Sequence, residues 1–374
     1  MKVLMCITGL NRGGAEKNFA EICVDTAARG FHFEPVVASL IGGYYLSAIR
    51  GRNIPVFVIL EPRNPVSICM NILRYVFFLV QNRRRIDVVQ AFMPHGGLLA
   101  AMSNLILHKP FIYGIRNSQI QDEFRKSWIN RSVRNFAHYV SLRMSTMLTC
   151  NSSAIQADLA SRTSKKVALV LNAVQQPPSE AYKDAKVKAE FFSPGGKYNV
   201  VSICNMRYPQ KDIITLLRVA GVCRDLRFVL VGGGTGLHFF KQKAEEFGSS
   251  NVVFTGSYQN IFPFLSYADL YILLTRFEGF PNSVLEAMIS QRPVIMSDIP
   301  EVTDVLVSGE NCLLVKNGDV QGIAEAILTL RSDSGLRERI VANAYRMAST
   351  VFAPANMIAS NYSVYAQAKE IAGC

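Results

Sequence analysis

Short apolar runs recur along this chain, and each is followed by a longer stretch with helical spacing. Val3–Ile7, Phe33–Ser39, Val56–Ile59, Val88–Ala91, Phe111–Gly114 and Met147–Cys150 read as strands, with Ala15–Arg29, Ser67–Arg83, Gly97–Leu107 and Ser127–Val140 as helices between them. Asn199–Ile203, Arg227–Val231, Val252–Phe254, Leu270–Leu273, Pro293–Met296 and Cys312–Val315 repeat the rhythm. Runs this apolar suit parallel strands buried on both faces, so the pattern predicts open α/β sheets. Two helices, Leu336–Ser349 and Asn356–Ile371, are expected at the end, parted at Pro354.

A chain of 374 residues is too long for one ordinary core. Asn172–Ser179, with Gln175, Gln176, Pro177 and Pro178, reads as a hinge. The expected division is residues 1–172, residues 180–350, and a terminal helical segment, 351–374, crossing back to the first domain. Two doubly wound, Rossmann-like domains facing across a cleft are the natural architecture.

With 49% apolar and 18% charged residues, disorder and fibrous repeats are excluded. The eight cysteines form no C-x-x-C pair, which argues against zinc and a disulfide framework and for a reducing compartment. Lys and Arg outnumber Asp and Glu by 40 to 28. Residues 1–172 hold 21 basic and 9 acidic side chains, and the remainder 19 of each. All of the +12 excess thus lies in the first half, and a basic face seeks the phosphates of nucleic acid or of an anionic membrane. The start does not read as a signal peptide, since the apolar run after Lys2 ends at Gly9. Asn64–Asn82 is interrupted by Arg74, and Val88–His108 contains Pro94, Gly96 and Gly97, so neither reads as a membrane span. The expected location is cytoplasmic, peripheral on the inner face of the membrane.

The stretch Arg276–Ile295, RFEGFPNSVLEAMISQRPVI, runs from strand through loop to helix to strand. Pro281 suits a first helical position, and the helix start at Asn282 and Ser283 is an anion site at the carboxyl edge of a parallel sheet. Glu278 lies in the loop and Glu286 inside the helix, and on spacing alone a solvated Glu and a capping loop explain them. The string E-G-F-P-N-S-V-L-E-A-M, followed by P-V-I and by Ser297–Val315, closely resembles the E-x7-E signature of retaining glycosyltransferases of family 4, which have the GT-B fold. The resemblance implies that Glu286 accepts from the ribose hydroxyls of a donor nucleotide and that Glu278 stands near the donor sugar. It implies that the backbone at Gly279, Phe280, Pro281 and Asn282 lines the sugar, and that at Ser283 and Val284 the diphosphate.

Ile203–Asp212, ICNMRYPQKD, resembles the family segment whose Arg and Lys clamp the leaving diphosphate, a part that falls to Arg207 and Lys211. Asn205 and Asp212 stand where the family carries glycine, which leaves the loop's shape open. Val229–Gly236, with Gly233, resembles a turn that shapes the nucleotide pocket, and Val253–Tyr258, with Ser257 and Tyr258, the segment whose backbone reads the base. In the first half, Gly13 and Gly14 let the chain pass close to a ligand, as a plain strand-to-helix turn also would. His95 resembles a His that contacts the transferred sugar, and a structural His is the equal alternative. Arg116 and Asn117, with Ser118, are expected at the acceptor side. No two of the twelve aspartates make a D-x-D triplet, so charge neutralisation by protein cations is expected, with no metal or other cofactor.

The reading is a retaining glycosyltransferase that moves a sugar from a nucleotide diphosphate donor, UDP-linked, to a lipid-linked or other glycan acceptor in surface polysaccharide or lipopolysaccharide synthesis. A nucleotide-sugar 2-epimerase of the same fold and a basic nucleic-acid-binding protein are the alternatives. No helix-turn-helix, RNP, KH or zinc pattern supports the last, and nucleic acid is not an expected partner.

Overall fold

The structure, a computed structural model, describes residues 1–25, 33–116, 128–192, 197–206 and 210–373, without the side chains of 128–130. The chain divides into two compact units. The first comprises Met1–Ala173 with Pro354–Cys374, and the second Val174–Ala353.

The first unit is built on a seven-stranded sheet: β1 (Lys2–Gly9), β2 (Glu34–Ile41), β3 (Val56–Val58), β4 (Val88–Phe92), β5 (Phe111–Gly114), β6 (Met147–Cys150) and β7 (Val167–Leu169). Their order is β3-β2-β1-β4-β5-β6-β7, every pair parallel. One layer holds α1 (Gly14–Asp25) and α2 (Leu46–Arg50), whose Phe19, Ile22 and Ile49 share a core with Val3, Met5 and Ile7. The other holds α3 (Pro65–Asn82), α4 (Pro94–Leu107), α5 (Trp128–Met144) and α6 (Ser153–Arg162). There Tyr75, Leu79, Ala100, Ala101 and Ile155 bury Leu4, Val89 and Leu148. Local chemistry sets the starts: Asn64 caps α3 by accepting from the Ser67 N–H, with Pro at the first helical position.

The second unit carries α7 (Ala185–Phe191), β8 (Asn199–Ile203), α8 (Ile213–Val222), β9 (Arg227–Val231), α9 (Leu237–Glu246), β10 (Val252–Gly256), α10 (Phe262–Ser266), β11 (Leu270–Leu273), α11 (Asn282–Ile289), β12 (Val294–Ser297), β13 (Leu313–Val315), α12 (Val320–Ser332) and α13 (Ser334–Thr350). Its six parallel strands run β10-β9-β8-β11-β12-β13.

The last helix, α14 (Pro354–Ile371), belongs to the first unit. Met357, Ile358, Val364, Tyr365 and Ala368 enter the core with Val3 and Met5. Inside that core the Gln90 amide donates to Asn361 Oδ1 at 2.9 Å and accepts from the Tyr365 hydroxyl at 2.6 Å. All three are fully buried, so each partner is needed to keep the others satisfied. Within the second unit the Val174 N–H donates to the Phe352 carbonyl at 2.9 Å, which joins the two ends of that unit.

Candidate active site

Ligands of open α/β sheets gather outside the carboxyl ends of the strands where the order reverses. In the second unit that point is β8/β11, and the two loops leaving it are stitched together. The Arg276 N–H donates to the Gln210 carbonyl at 2.9 Å, and the Asp212 N–H to the Leu274 carbonyl at 3.0 Å.

The stitching brings together two residues that are 67 positions apart in sequence. Lys211 Nζ donates to Glu278 Oε1 in a close ion pair, and the two residues are 9% and 8% exposed. The same carboxylate oxygen accepts from the Thr275 hydroxyl at 3.0 Å. Beneath lies a buried polar chain that fixes Thr275. Its N–H donates to Ser297 Oγ at 2.9 Å, its carbonyl accepts from Asn317 Nδ2 at 2.8 Å, and Ser297 Oγ donates to Asn317 Oδ1 at 2.6 Å. Sequence reasoning missed Thr275, Ser297 and Asn317. Each is a polar residue at or just past the carboxyl end of a strand, and that position was the available signal. Asp212, in the place of a family glycine, stands at the start of α8 and accepts from the Thr215 hydroxyl at 2.8 Å. Arg207 lies outside the described residues.

Pro281 caps α11 rather than opening it, so the helix begins one residue later than the proline alone suggests. Its φ of −78° with ψ of 115° is extended, and it brings no side-chain oxygen to the cap. Pro281 therefore sets no carboxylate of its own on the positive dipole end of the helix, which suits an approaching anion. Ser283 Oγ is bonded to the buried Tyr271 hydroxyl at 2.7 Å, which also donates to the Ile203 carbonyl at 3.2 Å. Burial pushes the Tyr271 hydroxyl well above the usual tyrosine range, so it stays a neutral donor tying α11 to β8. Phe280 turns its ring onto Phe352, with centroids 5.0 Å apart, and Gly279 and Val284 are buried. Glu286 is half-buried, one turn inside α11.

The glycine run after β9 meets the same loop from the other side. Gly232 has φ +145°, and a Cβ there would stand 1.9 Å from the Cys204 carbonyl oxygen. Gly233 lies against Ser257 Oγ and accepts from the Met206 N–H at 3.0 Å. Tyr258 packs its ring on Phe264 at 4.8 Å, leaving its backbone as the group that could face a base. Asn282, like Glu286, is engaged by other groups of the chain.

In the first unit the order reverses at β1/β4. Gly13 precedes α1, which starts at Gly14, and a Cβ on Gly13 would meet the Glu16 carboxylate at 2.2 Å. After β4, Met93 takes φ +66°, Pro94 opens α4, and His95 is its second residue, half-buried and engaged by other groups of the chain. The apolar spacing suggests a start at Gly97, but the helix begins at Pro94, because a proline's missing N–H costs nothing in a first turn. Arg116, expected to face an acceptor, turns inward. It is 8% exposed, stacks on the Phe92 ring at 4.8 Å, and donates from Nη1 to the Val170 carbonyl at 3.0 Å. Burial lowers its pKa to about 10, and it remains a cation at neutral pH. Asn117 lies outside the described residues. Among the described residues no three His, Cys, Asp or Glu side chains are grouped to hold a metal ion.

Residues 197–333 match the model of the family described as glycosyl transferases group 1. The second unit carries a glycosyl transferases group 1 domain. The chain is 26% identical over 230 residues to the lipopolysaccharide core biosynthesis glycosyltransferase LpsD of Rhizobium meliloti (strain 1021), covering 61% of this chain and 65% of that protein. It is 32% identical over 102 residues to the capsular polysaccharide biosynthesis glycosyltransferase CapM of Staphylococcus aureus, 27% of each chain. The chain thus spans less than two thirds of the length of either relative. The structure of Anabaena Alr3699/HepE in complex with UDP-glucose superposes with a TM-score of 0.79 at 18% identity, over 98% of this chain and 100% of that one. The fold is accordingly GT-B, with two parallel-sheet α/β units. The Lys211–Glu278 pair, Gly232, Gly233, Ser257 and the whole of α11 fall inside the matched domain.

Proposed function

We propose that this protein is a retaining glycosyltransferase of family 4 that takes a UDP-linked sugar and passes it to a lipid-linked glycan at the inner face of the cytoplasmic membrane. The observation that carries it is the Lys211–Glu278 pair, held nearly out of water by the stitched loops at the β8/β11 reversal. The relatives supply the setting, lipopolysaccharide core and capsule synthesis, and the HepE complex supplies the donor class.

In this reading the donor diphosphate lies at the start of α11, with Arg207 and Lys211 as its cations and no metal. Glu286 accepts from the two ribose hydroxyls, a role for which a carboxylate's two oxygens are suited. The bond between sugar C1 and the β-phosphate oxygen breaks. A new bond from C1 to the acceptor oxygen forms on the same face. The acceptor's proton passes to the departing phosphate oxygen, so no strong enzymic base is needed. Negative charge grows on the diphosphate as it leaves, and fixed cations and helix N–H groups stabilise it there. Glu278, released when Lys211 turns to phosphate, stands beside the positive charge developing at C1.

A panel of nucleotide sugars tests this by donor hydrolysis in the presence of chelator, with proton NMR of the first product to read its anomeric configuration. A UDP-sugar should be cleaved preferentially and the anomer retained. Inversion, or activity only with added divalent metal, refutes the mechanism, and no hydrolysis of any donor refutes the class. Glu286→Gln should weaken UDP binding by about 1–3 kcal/mol in calorimetry, because the amide keeps one acceptor oxygen for two hydroxyls.

A further inference from the structure

Three helices of the first unit present apolar side chains that no described residue covers. On α3, Val66, Met70, Leu73, Phe77 and Val80 follow the spacing of a single helical stripe, and all are exposed, Phe77 by 63%. The opposite side of the same helix buries Tyr75 and Leu79. Beside it, α4 packs on both α3 and α5. The Tyr75 hydroxyl meets Ser103 Oγ at 2.7 Å, and Gly97 lets Ser141 of α5 approach to where a Cβ would leave 2.2 Å. These neighbours extend the patch: Met102 and Leu105 are exposed on α4, and Phe136 and Tyr139 on α5, Tyr139 by 64%.

The charges on these three helices have one sign. No Asp or Glu occurs in residues 65–85, 94–109 or 128–144, while Arg74, Arg83, Arg84, Arg85, Arg131 and Arg143 are all exposed there. Single exposed apolar residues are ordinary, but nine on three neighbouring helices mark a binding surface. Its occupant must tolerate apolar insertion and attract cations. A second copy of the chain fits poorly, since it would set arginine against arginine. None of the described helices is long and apolar enough to cross a membrane, and Arg74 interrupts α3 midway. A helix of this kind lies in the interface, its apolar side among acyl chains and its arginines among headgroups.

We infer that the α3–α4–α5 face docks the protein on a membrane surface carrying anionic lipid headgroups. The inference rests on the transferase reading for its purpose, bringing the first unit to a lipid-linked acceptor, and not for its physics. A helix of 18 residues is about 27 Å long, so α3 lying flat gives a broad footing. The arginines draw the protein in from a distance, and Leu73, Phe77 and Phe136 hold it once it is there.

The test is sedimentation of the full chain with vesicles of phosphatidylcholine alone or mixed with phosphatidylglycerol, with donor hydrolysis measured on the same samples. The protein should pellet with the mixed vesicles and be released by high salt. Replacing Arg83, Arg84 and Arg85 by Glu should lower the partition coefficient by about a hundredfold or more, at about tenfold or less per charge removed. Leu73→Glu with Phe77→Glu should release the protein at low salt too. Both variants change exposed positions, so their thermal melts and donor hydrolysis should match the parent. Equal pelleting with both vesicle types, or with neither, overturns the inference. So does a dimer in sedimentation velocity that Phe77→Glu dissociates, which would make a second copy the occupant. Vesicle binding without any donor hydrolysis would leave the docking face standing and overturn the transferase reading instead.

Discussion

At the residue scale, the Lys211–Glu278 pair has two separable duties. Removing one partner of a buried pair leaves an uncompensated charge, at a cost of about 3–5 kcal/mol, whereas apolar residues in both places are often tolerated. Lys211→Met alone should therefore destabilise the protein more than Lys211→Met with Glu278→Leu, as read by urea denaturation. Both variants should lose about a hundredfold or more in kcat, since neither retains the cation that meets the leaving diphosphate. A double variant that recovers stability without recovering turnover separates catalysis from folding. His138 gives a pH dependence of its own. Its ring accepts or donates at 2.9 Å with the Tyr113 hydroxyl, and burial together with Arg134 lowers its pKa to about 4. The unfolded chain binds a proton there near pH 6.5, so unfolding takes up a proton between those values and stability is lost as pH falls from about 6.5 to 4. The loss should approach about 3 kcal/mol, and His138→Gln should flatten that limb of the urea-midpoint profile.

At the scale of elements, the loops leaving β8 and β9 are fitted to one another through glycine. Gly232→Ala must place a Cβ at φ +145° and against the Cys204 carbonyl oxygen, and it should cost about 3 kcal/mol or more and abolish UDP binding. Gly248 also has positive φ, at +64°, but nothing lies within 4 Å of its would-be Cβ. Gly248→Ala should cost only about 1–2 kcal/mol, the backbone penalty alone, and leave UDP affinity unchanged. Much of this was readable in order along the chain. E-G-F-P-N-S-V-L-E is a contiguous run, so its loop and helix could be assigned without knowing what they pack on. The partnership of Lys211 with Glu278, or of Thr275 with Ser297 and Asn317, depends on which strands lie side by side. Sequence spacing carries no such information. β7 and α6 leave little trace in the sequence for a different reason: Val167–Leu169 is a three-residue edge strand, and α6 buries only Ile155 and Leu159, too little to raise a periodic signal.

At the scale of the whole molecule, the first unit is discontinuous in sequence. Asn361→Leu should leave the Gln90 amide buried without its acceptor and cost about 1–3 kcal/mol by urea denaturation. Ending the chain at Ala353 removes Ile358, Val364 and Tyr365 from the core as well, and the loss should reach about 5 kcal/mol or more, seen as insoluble expression. The same feature imposes an order on biosynthesis. At ribosomal rates the whole second unit must be translated before α14 emerges, an interval of roughly 10–40 s. Throughout it the nascent first unit shows water the side of β4 and β5 that α14 later closes. The last helix is thus a fastener that arrives late, and the half-made protein has a window in which a chaperone can hold it open or a wrong partner can seal it shut.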